Sequence, residues 1–497
     1  MSDRPPFLNG PTGPRIVVVG GGISGLAAAL RVSALLPSAH IALLEASDRL
    51  GGKIVTEHHD GFLIESGPDS FLATKPRGLG LCAELGIASS LQSTTSQPHR
   101  AYVVRRGILH ELPEGLSGLV PTRLGPLFRS RLLSPAAKLR VASDIVIPPA
   151  SGDADESVAS FVRRRLGSEA YDWLVEPLMA GIYAGDGDRL SLLATFPQLR
   201  DAERRHGGLI RGAIASQGTA AVGPRRGFLT PIEGVGHLVS TAEAKLRQAG
   251  VGIELSRSVS RLTWQSSQWL LETSGPNRIA ADAVILAVPG FIAADLLRPN
   301  DAGIAFELAA IPHASSAIVT FAFPEAELPR PLSAHGYVIP RAEGRPALAS
   351  TWTSAKWSNR APPGWALLRV FLGRFGQAAT FAADDDGLVC LARAELRRTL
   401  GIETTPSITR VARWPRGMPQ YLVGHRERMD RLDAALRALP GLTLAGASYR
   451  GVGLPDCIAS GEAAATSVVT WLASSGRPTL PDDTIPSLVG AAGKTRL

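Results

Sequence analysis

Cysteine is scarce in this sequence of 497 residues, and the three that occur, Cys82, Cys390 and Cys457, lie far apart without a CxxC pair. This scarcity excludes a disulfide framework and a zinc site of paired thiolates, and it is typical of a reducing compartment such as the cytoplasm. The sequence also lacks a spaced set of His, Asp and Glu residues and a Ser–His–Asp pattern. We therefore expect no metal site and no hydrolytic nucleophile.

Long hydrophobic runs are also absent, because no window of 18 residues is free of charges and turn-forming residues. The sequence therefore predicts no membrane-spanning helix, and the N-terminal stretch MSDRPPFLNGPTGPR lacks the apolar region of a signal peptide. Lysine supplies only six of the 52 basic residues, which exceed the 44 acidic residues to give a net charge of +8. Spread over 497 residues, this excess of positive charge does not identify a binding partner. We expect no nucleic acid, and the oligomeric state stays open.

Apolar residues make up 45% of the chain, which is enough for a large core. At about 100–200 residues per domain, the length predicts several domains. The first ordered element is Arg15–Gly20, RIVVVG, a run rich in β-branched residues that predicts a buried parallel strand. A Gly-rich turn, helical apolar spacing over 26–36 and a second strand over 40–45 follow. This order is that of a βαβ unit.

The turn inside this unit reads Gly20-x-Gly22-x-x-Gly25, the pattern of a dinucleotide-binding loop. Gly20 permits the tight turn, Gly22 lets the backbone approach a pyrophosphate, and Gly25 allows helix and strand to pack closely. Glu45 ends the second strand, at the position where a carboxylate accepts hydrogen bonds from an adenosine ribose. The spacing therefore predicts a dinucleotide without a 2′-phosphate.

The residues after the second strand resemble the flavin oxidase superfamily that includes the monoamine oxidases. Segment 45–53, E-x-x-x-R-x-G-G-K, carries this resemblance. Longer segments are similar to the bacterial FAD-dependent porphyrinogen oxidases, the family of protoporphyrinogen IX oxidase and coproporphyrinogen III oxidase. These segments are 67–75 (GPDSFLATK), 174–186 (LVEPLMAGIYAGD), 192–199 (LLATFPQL), 413–428 (RWPRGMPQYLVGHRER) and 444–461 (LAGASYRGVGLPDCIASG).

The resemblance implies a noncovalent FAD, because Cys457 falls inside the last predicted helix, 456–472, and no other cysteine is placed for a covalent link. Asp456 is predicted to be the N-cap of that helix, whose dipole would point at the flavin. The residues that the resemblance places against FAD are Gly20, Gly21, Gly22, Ile23, Ser24, Gly25, Glu45, Ala46, Arg49, Gly52, Lys53, Gly67, Pro68, Asp69, Ser70, Val259, Trp414, Ala447, Val452, Gly453 and Leu454.

The implied substrate is a porphyrinogen, a puckered apolar macrocycle with carboxylates on its rim. Such a ligand needs apolar walls and a few cations. The candidate substrate residues are Lys75, Gly181, Tyr183, Ala184, Tyr337 and Ile339, with Lys75 as the carboxylate anchor and Arg100 or Lys356 as alternative cations. Core packing for Tyr337 and a solvated position for Lys75 stay open. No catalytic residue is assigned.

The predicted fold is α/β plus α+β: a discontinuous Rossmann-like FAD domain with the GxGxxG loop, an inserted helical domain and a mainly β substrate domain. The predicted boundaries are 1–80, 225–295 and 438–475 for the three FAD-binding parts, 81–224 for the helical domain, 296–437 for the substrate domain, and 476–497 for a flexible tail.

A basic stretch without acidic residues runs between Glu114 and Asp144. Its cations are Arg123, Arg129, Arg131, Lys138 and Arg140, interspersed with apolar residues. The pattern predicts either a peripheral contact with an anionic membrane on its cytoplasmic face or a solvated helix face.

The predicted function is an oxygen-dependent six-electron oxidation of a porphyrinogen to the porphyrin, with release of hydrogen peroxide, in haem biosynthesis. The wording of GPDSFL and GVGLPDCI resembles coproporphyrinogen-type members and favours coproporphyrinogen III over protoporphyrinogen IX. Two alternatives stay open: an amine oxidase or desaturase of the same superfamily, and a porphyrin-binding flavoprotein without activity.

Overall fold

The computed structural model describes residues 13–95, 100–114, 116–117, 119–121, 124–219 and 227–475. The predicted tail, 476–497, and Arg123 of the basic stretch lie outside the described residues.

The described chain contains both strands and helices throughout its length. The strands are β1 (Arg15–Val19), β2 (His40–Leu44), β3 (Thr56–His59), β4 (Phe62–Glu65), β5 (Phe71–Leu72), β6 (Leu91–Ser93), β7 (Tyr102–Arg105), β8 (Ile108–Glu111), β9 (Leu116–Ser117), β10 (Val120–Pro121), β11 (Phe228–Pro231), β12 (Gly252–Glu254), β13 (Val259–Gln265), β14 (Gln268–Thr273), β15 (Ile279–Ala281), β16 (Ala283–Leu286), β17 (His313–Pro324), β18 (Gly336–Val338), β19 (Ala347–Trp352), β20 (Trp365–Leu372), β21 (Ile408–Pro419) and β22 (Leu442–Leu444).

The α-helices are α1 (Ile23–Leu35), α2 (Pro76–Glu84), α3 (Leu124–Arg129), α4 (Pro135–Ala142), α5 (Val158–Leu166), α6 (Ser168–Ala170), α7 (Glu176–Tyr183), α8 (Leu192–Thr195), α9 (Pro197–His206), α10 (Leu209–Thr219), α11 (Gly236–Gln248), α12 (Gly290–Leu297), α13 (Ala302–Ala309), α14 (Thr353–Lys356), α15 (Ala378–Ala382), α16 (Asp385–Leu400), α17 (His425–Leu436) and α18 (Leu454–Ser474). Among the described residues, no helix is long and apolar enough to cross a membrane.

A five-stranded parallel sheet joins distant parts of the chain in the order β12-β2-β1-β16-β22. The β-branched residues of β1 are buried on both faces, which explains why this strand reads as a continuous apolar run. Ile16 and Val18 pack into one core with α1 and α18, while Val17 and Val19 pack into another with α12 and α13. The predicted strand and helix are present as β1 and α1.

A seven-stranded sheet, β21-β17-β20-β19-β18-β7-β8, forms a second layer of the structure. Strand β20 alternates between its faces: Leu368 and Val370 pack in the core that α16 covers, whereas Arg369 lies on the other face with Gly67. Strands β7 and β8 come from the segment predicted to be helical, 81–224, so that segment contributes to this sheet as well.

The helices between α3 and α10 pack around one core, to which Val103 of β7 and Tyr421 also contribute. A fully buried ion pair anchors it, because Arg165 Nε donates to Asp144 Oδ1 over 2.6 Å and both side chains are inaccessible to solvent. Asp144 also accepts the backbone N–H of Ile210 at the start of α10. A buried pair of this kind ties distant segments together, and losing one partner leaves an uncompensated charge.

Candidate functional site

Of the three glycines that define the turn before α1, only Gly22 has open space beside it, and this is the position that the predicted pyrophosphate would approach. A Cβ added at Gly20, whose φ is +106°, would lie 2.5 Å from the carbonyl oxygen of Ala287, and one at Gly25 would lie 1.9 Å from that of Gly20. A Cβ at Gly22 would have no neighbour within 4 Å. Gly22 is also the N-cap of α1 and makes no side-chain cap. The turn therefore presents a helix N-terminus to open space, which is the geometry of an anion site.

Glu45 lies beside this turn at the end of β2. Its Oε2 accepts the N–H of Gly21 over 2.6 Å, and its Oε1 accepts the N–H of Ser47 over 2.9 Å. The backbone of Glu45 also bonds to Glu254 and Arg257, which brings the strand that starts at Val259 to the same end of the sheet. The predicted adenosine side of the site is therefore contiguous in space.

Arg49 holds the loop that follows β2. Its guanidinium donates to the carbonyls of Leu50, Gly52 and Ile54 over 3.1, 2.7 and 3.2 Å. The ordered loop lies against the glycine turn, because the N–H of Gly51 donates to the carbonyl of Gly21 over 2.8 Å. These bonds give Arg49 a bracing role in the loop that the sequence pattern alone did not predict. Ala46, in the same segment, is exposed.

Lys53 directly follows the paired glycines of the loop after β2. The residue is exposed to solvent, yet the protein atoms around it desolvate the ammonium and lower its pKa, and only a thiolate at Cys457 would act in the opposite sense. The charge of Lys53 also contributes to lowering the pKa of His313 to about 4, for which burial is the main cause. A side chain that water reaches, but that many protein atoms surround, is available to a ligand at this site.

The segment Gly67–Ser70 is attached to the seven-stranded sheet through Asp69. Lys356 Nζ and the indole N–H of Trp357 both donate to Asp69 Oδ2 over 3.2 Å, and Arg369 lies 3.5 Å away. Arg369 also donates to the carbonyl of Gly67. Burial alone would raise the pKa of Asp69, but the charges of Lys356 and Arg369 hold it far below its usual range. Lys356, an alternative candidate for the substrate cation, is therefore committed to Asp69.

Trp414 on β21 approaches the same segment. Its indole N–H donates to the carbonyl of Ser66 over 2.8 Å. A Cβ at Gly67 would lie 1.9 Å from the carbonyl oxygen of Lys53, so the two backbones touch and only glycine fits. The structure thus brings Lys53, Gly67 and Trp414 together.

The glycine-rich turn before α18 differs from the prediction in one respect. The helix begins at Leu454 with Gly453 as N-cap, so Asp456 is the third helical residue and not the N-cap. The sequence expectation was wrong by three residues because Pro455 is tolerated in the first turn of a helix. Asp456 Oδ2 accepts the N–H of Gly453 over 3.2 Å, which satisfies one of the free N–H groups of this helix end.

Two residues that the sequence analysis did not single out support this turn. Tyr421 donates its hydroxyl to the carbonyl of Ala447 and accepts the N–H of Gly451 over 2.8 Å. The ring of His425 stacks on Tyr421 at 4.2 Å, and its Nε2 lies 2.7 Å from the carbonyl oxygen of Tyr449. Burial lowers the pKa of His425 to about 4, so the ring is neutral at pH 7 and its Nε2–H donates. The only sequence feature that pointed to Tyr421 and His425 was their position in segment 413–428, which is similar to the porphyrinogen oxidases.

The C-terminal end of α7 contacts Tyr421 and its neighbour Gln420. Tyr183 is buried and packs edge-on against Tyr421, with ring centroids 6.2 Å apart, while its carbonyl accepts the side-chain N–H of Gln420 over 2.9 Å. Ala184 follows with a φ of +46°, which reverses the chain. Gly181 is exposed on the helix, with Val338 beside it. Three of the family-like segments therefore meet in space.

Tyr337 and Ile339 do not line the predicted substrate site. Both side chains lie in the core beneath α16, with 2% and 0% of their surface exposed, and the Tyr337 hydroxyl donates to Glu395 over 3.3 Å. Alternation along the strand instead turns Val338, which lies between them, toward the opposite face, where it packs with Ala184. The predicted face of this strand was wrong by one residue.

Lys75 is the N-cap residue of α2, and it is not free. Its Nζ lies 2.7 and 2.5 Å from the two carboxylate oxygens of Asp456. Arg100, an alternative cation, lies 3.5 Å from Glu111 on the rim of the seven-stranded sheet. Within the described part of the chain, no group of three His, Cys, Asp or Glu side chains could hold a metal ion.

Comparison with known proteins decides the family. The family model for flavin containing amine oxidoreductases matches residues 23–469. The chain belongs to this family. The family is that of FAD-dependent oxidoreductases, and the open space at Gly22 and the carboxylate of Glu45 fit a dinucleotide of this kind.

Curated relatives of this flavoenzyme include coproporphyrinogen III oxidase of Bacillus subtilis, which is 36% identical over 92% of this chain and 98% of the relative. Protoporphyrinogen oxidase 1 of Arabidopsis thaliana is 32% identical over 89% of this chain and 85% of the relative. Among solved structures, "Putative protoporphyrinogen oxidase" from Exiguobacterium sp. 255-15 superposes with a TM-score of 0.82 at 32% identity, covering 92% and 99% of the two chains. The resemblance drawn from the sequence is confirmed.

Proposed function

We propose that this flavoenzyme oxidises coproporphyrinogen III to coproporphyrin III in haem biosynthesis, with dioxygen as the electron acceptor and hydrogen peroxide as the second product. The observation that carries the proposal is the full-length similarity to oxidases named for that substrate. The structure supports it in that segments 174–186, 413–428 and 444–461 pack against one another through Tyr183, Tyr421 and the turn at Gly451.

FAD bound at this site supplies a hydride acceptor that dioxygen can reoxidise. The N-terminus of α1 at Gly22 would hold its pyrophosphate, and Glu45 its adenosine ribose. Tyr421 and His425 fix the turn before α18, so the N-terminus of that helix keeps one direction and favours negative charge in front of it. In this proposal the FAD domain would contain the parallel sheet, the helical domain the α3–α10 region, and the substrate domain the seven-stranded sheet, to which β7 and β8 of segment 81–224 also contribute.

Noncovalent attachment of FAD is part of the proposal. Cys457 lies within α18 and Cys82 within α2, and burial raises the pKa of each thiol to about 11. Cys390 lies on α16, which covers the far face of the seven-stranded sheet. A buried, protonated thiol is a poor nucleophile toward a flavin. We expect acid or heat to release intact FAD.

The substrate would lie against the face that carries Gly181, Ala184 and Val338, where the residues are small and apolar. Lys75 is the cation proposed to receive a rim carboxylate. Apolar walls with few charges suit a macrocycle whose polar groups are confined to its rim.

The proposed reaction is tested by initial rates on coproporphyrinogen III and protoporphyrinogen IX, with the porphyrin followed by fluorescence and peroxide measured in parallel. We expect both to appear together, with three peroxides per porphyrin, and the higher kcat/KM on coproporphyrinogen III. If the protein oxidised a primary amine and neither porphyrinogen, the proposal would be wrong and the protein would be an amine oxidase. Tight porphyrin binding without peroxide release would indicate a porphyrin-binding flavoprotein without oxidase activity.

We also propose a peripheral membrane contact, on a smaller surface than the basic stretch suggested. Leu139 and Val146 are 67% and 77% exposed, and Arg129 and Arg131 are exposed nearby in the chain. Arg140 does not take part, because its guanidinium donates to the carbonyls of Arg164 and Arg165 at the end of α5. Exposed apolar side chains with a few cations fit an anionic lipid surface.

The wild-type protein should therefore sediment with vesicles containing anionic lipid at low salt, and sedimentation should weaken at physiological salt as the charges are screened. Changing Leu139, Val146, Arg129 and Arg131 to Ser should abolish it while activity on detergent-dispersed substrate persists. Phe306→Ser is the matched control, since Phe306 is 71% exposed on the distant helix α13. Equal sedimentation of all three proteins would contradict the proposal.

A further inference from the structure

The ion pair between Lys75 and Asp456 links the N-cap residue of α2 to the third residue of α18. Asp456 presents both carboxylate oxygens to Lys75 Nζ, at 2.7 and 2.5 Å, across 381 residues of chain. Both partners keep contact with solvent, with 46% of the Lys75 side chain and 22% of the Asp456 side chain exposed. A ligand entering from solvent can therefore reach the ammonium without first unfolding any element.

The pair lies at the site described above and not on a remote surface. Asp456 is in the first turn of α18, directly after the turn at Val452 and Gly453. Its charge adds to burial in raising the pKa of Tyr183, which places the carboxylate within electrostatic range of the end of α7. The ammonium is thus held next to the proposed positions of both flavin and substrate.

The pair is not what holds the two helices together. Arg77, two residues after Lys75, pairs with Glu462 on α18 through two hydrogen bonds, and only 10% of the Glu462 side chain is exposed. A Cβ at Gly78 would lie 3.1 Å from Pro455, so α2 also packs directly on the start of α18. Helix packing therefore survives when Lys75 leaves Asp456.

Asp456 also keeps other favourable contacts after such a separation. It still accepts the N–H of Gly453 over 3.2 Å. As the third residue of α18, it lies where the helix dipole favours a negative charge. Exposed ion pairs are weak, so exchanging one carboxylate for another on the same ammonium is close to balanced.

We propose that Asp456 competes with the substrate carboxylate for Lys75, and thereby weakens the binding of ligands that carry a rim carboxylate. The inference rests on the proposed function, because it takes Lys75 as the anchor of a porphyrinogen. In the ligand-free enzyme Asp456 occupies the ammonium. A carboxylated macrocycle displaces it, whereas a ligand without a carboxylate leaves the pair closed and gains nothing from Lys75.

The test compares coproporphyrin III with its tetramethyl ester in one detergent, by fluorescence titration of the FAD-loaded enzyme. Asp456→Asn keeps the shape and the hydrogen bond to Gly453 but releases Lys75, so the acid should bind about fivefold more tightly and the ester unchanged. Lys75→Met should weaken the acid only. The gain from Asp456→Asn should shrink in the Lys75→Met background, which makes the two residues coupled.

Arg77→Gln is the matched control, because it removes the other ion pair between the same helices. It should lower the thermal midpoint and leave the ratio of acid to ester affinity unchanged. An unchanged ratio in Asp456→Asn, an equal gain with and without Lys75, or the same change in Arg77→Gln would each overturn the competition. Turnover of both porphyrinogens by the wild type is assayed separately, so failure of the proposed function is recognised on its own.

Discussion

Gly22→Val is expected to yield a folded protein that purifies without its yellow cofactor. The Cβ at this position enters space that no protein atom occupies within 4 Å, at the N-terminus of α1. The free chain tolerates the added side chain for that reason, whereas the pyrophosphate must approach the same backbone. Filling a close-packed contact of this kind should weaken FAD affinity by about 100-fold. The ratio of flavin to protein absorbance after gel filtration measures the loss.

Gly125→Val provides the control for this substitution. Gly125 is exposed on α3, and a Cβ there also meets no atom within 4 Å, so the same side chain is added to equally open space outside the site. Its flavin content should match the wild type. Full flavin occupancy in Gly22→Val would show that the pyrophosphate does not approach this turn.

The glycine turn and its flanking elements could be predicted because all of their determinants are local. Strand β1, the turn at Gly20 and helix α1 follow one another within 21 residues, and each has its own composition signal. Glu45 follows at the spacing that a βαβ unit imposes. Its bond to the N–H of Gly21 places it where the spacing predicted.

The orientation of β18 could not be predicted in the same way. The run from Tyr337 to Ile339 is apolar at every position, since one face packs beneath α16 and the other packs with Ala184. A strand buried on both faces shows no polar alternation, so nothing in the sequence indicates which residues face the site. Tyr337 and Ile339 were predicted to face the substrate, whereas Val338 is the residue on the face that carries Ala184.

The partners of the charged residues could not be predicted from the sequence either. Lys75 and Lys356 looked like free cations because their partners, Asp456 and Asp69, lie hundreds of residues away in the chain. The contribution of Tyr421 was hidden for the same reason, since its hydroxyl supports Gly451 from a different element. Ion pairs and hydrogen bonds between distant segments follow from the topology, which the local pattern does not specify.

Asp69→Asn is expected to cause the largest loss of stability among these variants. Asp69 is the acceptor for Lys356 and the partner of Arg369, whose side chain is only 2% exposed. Neutralising it removes the stronger of the two carboxylate charges, those of Asp69 and Glu65, that act on the buried guanidinium, which costs about 3 kcal/mol. For a folding unit of about 150–250 residues, that corresponds to a fall of about 6–12 °C in thermal midpoint. Scanning calorimetry at saturating FAD should show it.

The pH dependence distinguishes this ion pair from a packing defect. The folded-state pKa of Asp69 lies below its unfolded value of about 3.9, so the stability that the carboxylate contributes is complete above that pH and is lost as the pH falls below it. The difference in midpoint between wild type and Asp69→Asn should therefore be full at pH 7 and shrink below about pH 4. Asp430→Asn, an exposed residue of α17, should show no difference at either pH. A gap for Asp69→Asn that stays constant down to pH 3 would mean that Asp69 stabilises its loop by shape and not by charge.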